Sequence, residues 1–259
     1  MATALITGAS GGIGRELAKI HALNGHNLIL AARSGNRLNA LKDELESAFS
    51  IRVDVLAIDL SEPGSAHKLF QQVEQLGLQV DILINNAGFG TFGLFTEADI
   101  GKTEELMRLN MEALTTSTRL FLPQMVARKS GRIMNIASTA AFQPGPLMAV
   151  YFASKAYVLR FSEAIANELK GSGVSITVYC PAATESGFQS AAKMEDSRLV
   201  KNRNLDSAEN VAADAYKAMM RGKTVAIYGW INALLARSTG LFPAALVAKI
   251  ARRMIERES

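Results

Sequence analysis

The sequence predicts an α/β fold: a doubly wound, mostly parallel seven-stranded sheet with helices on both faces, in one domain spanning residues 1–259. Three observations predict it. Seven short apolar runs recur along the chain, amphipathic stretches separate them, and a glycine cluster follows the first run directly. Short runs rich in Val, Ile and Leu suit parallel strands covered on both faces, and their alternation with helical periodicity implies βαβ units.

The first run, residues 3–7 (TALIT), leads through "TGASGGIG" into a helix that Asn24-Gly25 ends, since glycine accepts the left-handed cap. Residues 27–32 (NLILAA) form the second strand, and "RLNALKDELESAF" follows with apolar residues three and four apart. The third strand is 53–58, followed by the helix "AHKLFQQVEQLG", and the fourth is 80–84 (VDILI). Residues 132–137, 175–179 and 225–228 supply the last three. Between the sixth and seventh lies the weakly patterned stretch 182–206, ahead of a helix beginning near Ser207. A long irregular segment at the C-terminal edge of a sheet suits a lid, expected over about 186–206.

Composition is ordinary for a globular chain, with 49% hydrophobic and 20% charged residues, 20 glycines and 6 prolines. Cys180 is the single cysteine, which excludes an internal disulfide and fits a reducing compartment. Met1 leads into no basic-then-apolar leader, and no stretch approaches ~20 uninterrupted apolar residues. The expected location is cytoplasmic. Net charge is +4, and the basic clusters at 128–132 and 249–257 lack interleaved aromatics, so nucleic acid is not an expected partner. His21, His26 and His67 make no cluster of metal-ligand spacing with cysteine or carboxylates, so no metal is expected.

Gly8, Gly12 and Gly14 sit between the first strand and the first helix. Gly8 permits a sharp turn, Gly12 a close approach to a pyrophosphate, and Gly14 tight packing of helix on sheet. The helix N-terminus adds a positive dipole end. This is the expected dinucleotide site of a Rossmann fold. The second strand ends in Arg33-Ser34 rather than in an acid that would take a ribose 2′-hydroxyl. A guanidinium suits a 2′-phosphate, so NADP(H) is expected ahead of NAD(H), with Asp59 at the third strand's end near the adenine.

With these residues in place, the chain resembles the short-chain dehydrogenase/reductase family in its compact single-domain branch. The likeness runs from about Thr3 to Phe188, and more loosely to Gly229. It rests on "TGASGGIG" at 7–14, "NNAG" at 85–88, Asn110 in "LMRLNMEAL", Ser138 in "IMNIAS" and "YFASK" at 151–155, in the family's order. The resemblance implies a catalytic set of Asn110, Ser138, Tyr151 and Lys155. Tyr151 would give or take the proton, with its pKa lowered by Lys155 one helical turn on together with the oxidised nicotinamide. Ser138 would bond the substrate oxygen, and Asn110 would hold a water joining Lys155 to solvent. The implied cofactor contacts are Gly8, Ser10, Gly12, Ile13, Gly14, Arg33, Asp59, Asn86, Ala87, Gly88, Pro181, Thr184 and Ser186, with Tyr151 and Lys155. The chain departs from the family at Ala182, where glycine is usual, and at Gly11, where some NADP(H)-specific relatives carry a base.

Phe92, Phe95, Phe142, Leu147, Met148, Phe188 and Met194 are the expected pocket, which suits an apolar ketone, aldehyde, acyl or steroid-like substrate. The implied activity interconverts a carbonyl and an alcohol. Two rivals are an NADP(H)-sensing binding protein without chemistry and a sugar-nucleotide epimerase or dehydratase. Retention of both Tyr151 and Lys155 argues against the first, and chain length against the second. The amphipathic tail over about 230–257 could cover the pocket, meet another subunit or lie on a membrane, the last being least favoured. The family commonly forms homodimers or homotetramers, so a homo-oligomer is expected.

Overall fold

The computed structural model describes residues 1–192, 194, 197 and 205–256. Its main sheet joins β1 (Thr3–Thr7), β2 (Asn27–Ala32), β3 (Val53–Ala57), β4 (Ile82–Asn85), β5 (Gly131–Ile136), β6 (Val174–Cys180) and β9 (Val225–Ile227). All neighbours are parallel, in the order β3-β2-β1-β4-β5-β6-β9. Each expected strand is present, with ends moved by at most two residues. A separate two-residue pair, β7 (Thr184–Glu185) with β8 (Asp206–Ser207), lies inside the stretch read as irregular.

Side chains alternate between the faces as a pleated strand requires. From β1 and β2, Ala4, Ile6, Leu28 and Leu30 enter a core with Leu17 and Ala18 of α1 (Gly12–Leu23) and Leu38, Leu41 and Leu45 of α2 (Gly35–Ala48). Leu5, Ile29 and Leu83 enter the opposite core with Leu69 and Val73 of α3 (Ser65–Gln75) and Phe121 and Met125 of α5 (Leu114–Ala127). Val158 and Leu159 of α6 (Ala149–Glu168) pack on Val178 and Cys180, while Val211 and Ala215 of α8 (Ala208–Met220) complete the first face.

Helix ends follow their capping residues. Asp99 accepts a hydrogen bond from the Lys102 N–H at 2.9 Å to begin α4 (Ile100–Met107), and Ser207 caps α8 through the Asn210 N–H at 3.2 Å. A π-helical turn over Arg108–Ala113 joins α4 to α5. Beyond β9 the tail forms α9 (Trp230–Ser238), a tight turn at Thr239–Leu241 and α10 (Ala244–Ile255). It is two helices because Gly240 and Pro243 interrupt it. Among the described residues no helix is long and apolar enough to cross a membrane.

The strand order reverses between β1 and β4. Their outgoing loops part to opposite faces and leave a crevice at the carboxyl ends of the strands, where sheets of this class bind ligands.

Candidate active site

The crevice is built first from the turn after β1. Gly8 and Gly12 have φ of +69° and +51°, a region that side chains with a Cβ rarely enter. A Cβ on Gly14 would strike the Gly8 carbonyl oxygen and come within 2.5 Å of Asn86 Nδ2. Asn86 in turn donates to the Thr7 carbonyl at 2.9 Å, and the Thr7 hydroxyl accepts from the Asn86 and Ala87 N–H groups at 3.0 Å. Thr7 thus stitches the two loops at the switch point together, a role that sequence reading missed because a buried strand-end threonine carries no motif. No side chain caps α1, and its first turn holds no acid, so the N–H groups around Ser10 to Ile13 face the crevice without an anionic competitor. These features fit a pyrophosphate, and Ser186 lies alongside, its Cβ about where a Cβ on Gly12 would touch it at 3.1 Å.

At the end of β2, Arg33 is 74% exposed along its side chain and sits 3.7 Å from the Asp59 carboxylate. Burial would raise the Asp59 carboxyl. Hydrogen bonds from the Ser61 hydroxyl and N–H at 2.6 and 2.9 Å, with Arg33, outweigh it and hold the group below its ordinary value. Nothing acidic stands at the strand end itself.

Ser138, Tyr151 and Lys155 converge beyond β5 and β6. Ser138 follows β5, and its hydroxyl accepts from the Ala140 N–H at 3.1 Å, starting a short 3₁₀ turn. α6 carries Tyr151 and Lys155 one turn apart. The ammonium of Lys155 donates to the Ile136 carbonyl at 2.9 Å and lies 5.7 Å from the centroid of the Tyr151 ring. Burial pushes the Tyr151 phenol up to about 12, and a hydrogen bond with Ser138 only partly offsets it. This reverses the lowering expected from Lys155. Burial also brings the Lys155 ammonium down to about 8, so its charge is a weaker counterweight than the spacing suggested.

Asn110 sits on the π-helical turn, fully buried. Its amide donates to the Phe89 carbonyl at 3.0 Å and to the Ser154 hydroxyl at 3.1 Å, and accepts from the Phe89 N–H at 3.2 Å. These bonds brace the loop after Gly88, where a Cβ would meet Asn110 at 3.0 Å and the Lys155 ammonium at 3.4 Å. Ser154, which closes this bracket by donating to the Tyr151 carbonyl at 2.7 Å, was also missed, being one small residue inside a helix.

Pro181 accepts through its carbonyl from the Thr139 N–H at 2.9 Å, tying the loop after β6 to Ser138. Thr184 is buried, and its hydroxyl donates to the Ala182 carbonyl at 2.9 Å. Ala182 keeps a negative φ, so alanine there meets no strain. Cys180 is buried beside this loop, its thiol pushed up to about 12 by burial, which fits packing rather than nucleophilic use.

An apolar cover closes over the tyrosine. Phe188, in the four-residue helix α7 (Phe188–Ala191), lies with its ring 5.0 Å from that of Tyr151. Met148, Leu147, Phe92 and Met194 join the same cluster, as does Ile255 of α10. Ile255 was not singled out, although Val247, Ala251 and Ile255 recur four apart, which is the signal for an inward row. Two expected members are elsewhere. Phe95 is 66% exposed, carried outward on a short turn, and Phe142 packs with Leu114 and Val158 beneath α6. Residues 193, 195, 196 and 198–204 of the expected lid lie outside the described residues, as does Arg257 of the tail.

The model for short chain dehydrogenases matches residues 2–197 of the chain. A very-long-chain 3-oxoacyl-CoA reductase of Pyrenophora tritici-repentis is 38% identical over 67% of this chain and 52% of its own length. The ketoacyl reductase HetN of a Nostoc species is 32% identical over 87% of this chain and 77% of its own. Several curated relatives are thus matched over little more than half their length. Among solved structures, a short-chain dehydrogenase from Sphingobium yanoikuyae in complex with NADPH is 32% identical with a TM-score of 0.84, covering 93% of this chain and 95% of that one. One from Burkholderia phymatum in complex with NAD is 25% identical with a TM-score of 0.82, covering 93% and 94%. Sequence and fold together place this chain in the short-chain dehydrogenase/reductase family.

Proposed function

We propose that the chain is an NADP(H)-dependent oxidoreductase that reduces the carbonyl of a largely apolar small molecule to an alcohol. The observation that carries this reading is Tyr151, bonded to Ser138 and flanked by Lys155, beneath the apolar cover of Phe188 and Met148. A phenol held at about 12 stays protonated at neutral pH, so it is poised to give a proton rather than to take one. The Tyr151 hydroxyl would pass its proton to the carbonyl oxygen, and the Ser138 hydroxyl would donate a hydrogen bond to the same oxygen as charge develops there. Lys155 would hold positive charge behind the tyrosine and help to replace its proton. Asn110 ties the loop at Phe89 to Ser154 of α6 and is a positioning residue.

When bound, the nicotinamide supplies the hydride. Gly8, Ser10, Gly12, Ile13 and Gly14 would hold its pyrophosphate side, Asn86, Ala87 and Gly88 the adjoining ribose, and Pro181, Thr184 and Ser186 the carboxamide side. Arg33, exposed at the end of β2 with no acid beside it on that strand, favours a 2′-phosphate, with Asp59 toward the adenine. Relatives bind NADPH in one case and NAD in another, so the preference rests on Arg33 itself. The apolar cover, and relatives named for 3-oxoacyl and ketoacyl groups, favour acyl or bulky ketone substrates.

The test is oxidation of NADPH and of NADH against 3-oxoacyl thioesters and bulky ketones. Wild type should turn over with NADPH, and Tyr151→Phe should lose roughly 10²–10⁴-fold of that rate while still binding NADPH. Arg33→Asp should move the preference toward NADH. Turnover that persists in Tyr151→Phe would remove the tyrosine from its assigned role.

A further inference from the structure

The layer formed by α9, the following turn and α10 leaves an apolar face open. Trp230, Leu234, Leu235, Leu241, Phe242 and Ile250 are each more than half exposed, a concentration of large apolar side chains seen nowhere else among the described residues. Their placement follows a pattern. On α9, Trp230 and Leu234, and Ile231 with Leu235, lie four apart on the outward side, while Ala236 is buried on the other. On α10, Val247, Ala251 and Ile255 form the inward row that packs on the protein. Leu246, Ile250 and Met254 repeat the same spacing one residue earlier and face out. Folding needs the first row. The second has no partner among the described residues.

Charge indicates what covers it. Between Gly229 and Glu256 the chain carries Arg237, Lys249, Arg252 and Arg253 against one acid, Glu256, and all four bases are exposed. On α10, Lys249 and Arg253 lie four apart beside the outward apolar row, where their heads can reach upward as their stems cover apolar surface. We propose that this face seats on a lipid bilayer bearing anionic headgroups, with the apolar rows entering the headgroup boundary and the bases meeting the phosphates. Trp230, at the exposed start of α9, is an amphipathic ring of the kind that settles at such a boundary. A two-fold contact through the same face would instead set these four cations against their copies in the second chain.

The seat adjoins the cover over Tyr151. The Thr239 hydroxyl donates to the Phe142 carbonyl at 2.8 Å, fastening the turn to the segment after Ser138, and Ile255 packs in the cluster with Met148 and Phe188. The bilayer contact stands apart from the reductase reading. Only its advantage, delivery of an apolar substrate from lipid, rests on that reading.

Trp230 is the only tryptophan, so its fluorescence reports this face alone. The experiment mixes the full chain, without substrate or cofactor, with vesicles of phosphatidylcholine containing one quarter phosphatidylglycerol, and with phosphatidylcholine alone. The proposal expects a blue shift and flotation with the anionic vesicles, at least tenfold weaker on the neutral ones. Leu234→Gln with Ile250→Gln should abolish flotation, and Lys249→Gln with Arg253→Gln should erase the preference for anionic lipid. Circular dichroism and melting of both variants should match wild type, as these side chains are exposed. Absence of flotation on either vesicle would overturn the proposal. So would a blue shift that needs no lipid, grows with protein concentration and vanishes in Leu234→Gln, which would assign the face to a second copy.

Discussion

The phenol of Tyr151 and the ammonium of Lys155 lie in surroundings that drive both toward their uncharged forms. For the phenol that means protonated, and for the ammonium it means neutral above about pH 8. The two effects have different consequences as pH rises. Tyr151 keeps its proton well beyond the point at which Lys155 loses its own. If positive charge at Lys155 supports proton delivery and cofactor capture, kcat/KM for the reduced cofactor should hold level to about pH 8 and then fall about tenfold per unit. Lys155→Arg, whose guanidinium stays charged, should show a lower plateau but no fall in that range. A pH profile of both proteins checks this. An unchanged alkaline limb in the arginine variant would assign the fall to another group.

At the scale of elements, the glycine turn shows how much of a binding site is made by the absence of side chains. Gly14 packs where a Cβ would strike the Gly8 carbonyl, backbone that cannot rotate aside. Gly11 is two residues past Ala9 in the same loop, yet its extended φ of −179° suits any residue and a Cβ there would meet nothing within 4 Å among the described residues. Gly14→Ala should therefore cost about 1–3 kcal/mol of stability and abolish dinucleotide binding. Gly11→Ala should stay within about 0.5 kcal/mol of wild type. Urea melts with and without NADPH compare the two.

At the scale of the molecule, stability is tied to a histidine pair remote from the site. His21 of α1 is fully buried, bonded Nδ1 to Nδ1 with His26 at 2.7 Å and met edge-on by Tyr216 of α8. Its Nε2 has no hydrogen-bond partner among the described residues. Burial first, and then the charge of His26, lower its pKa to about 3, while Asp81 and the N-terminal amine face His26 itself. The unfolded chain takes up this proton near pH 6.5 and the folded one only near 3. Stability is thus complete above pH 6.5 and drains away as pH falls through that window. Between pH 7.5 and 5 the loss should be about 2 kcal/mol. The fall in urea midpoint measures it, and His21→Leu should flatten it. An equal slope in that variant would place the acid sensitivity elsewhere.

Much of this molecule is legible in one dimension. Strands and their sequence order follow from short apolar runs, and the glycine turn from its spacing. The convergence of Ser138, Tyr151 and Lys155 follows from motifs that a parallel sheet brings to one edge, because βαβ geometry returns every strand's C-terminus to the same side. What the sequence could not carry is which neighbours surround a group once the chain has closed. The phenol is raised rather than lowered because desolvation depends on Phe188, distant in sequence but packed on the Tyr151 ring, and not only on the lysine four residues away. Phe95 and Phe142 were read into a pocket that their loops turn them away from. Thr7, Ser154 and Ile255 entered the site only through contacts made across the fold. Periodicity by itself determined that the tail is amphipathic, and only the tertiary structure decided which of its two apolar rows is buried and which is left open. Local spacing sets the rows, but burial is set by what packs against them.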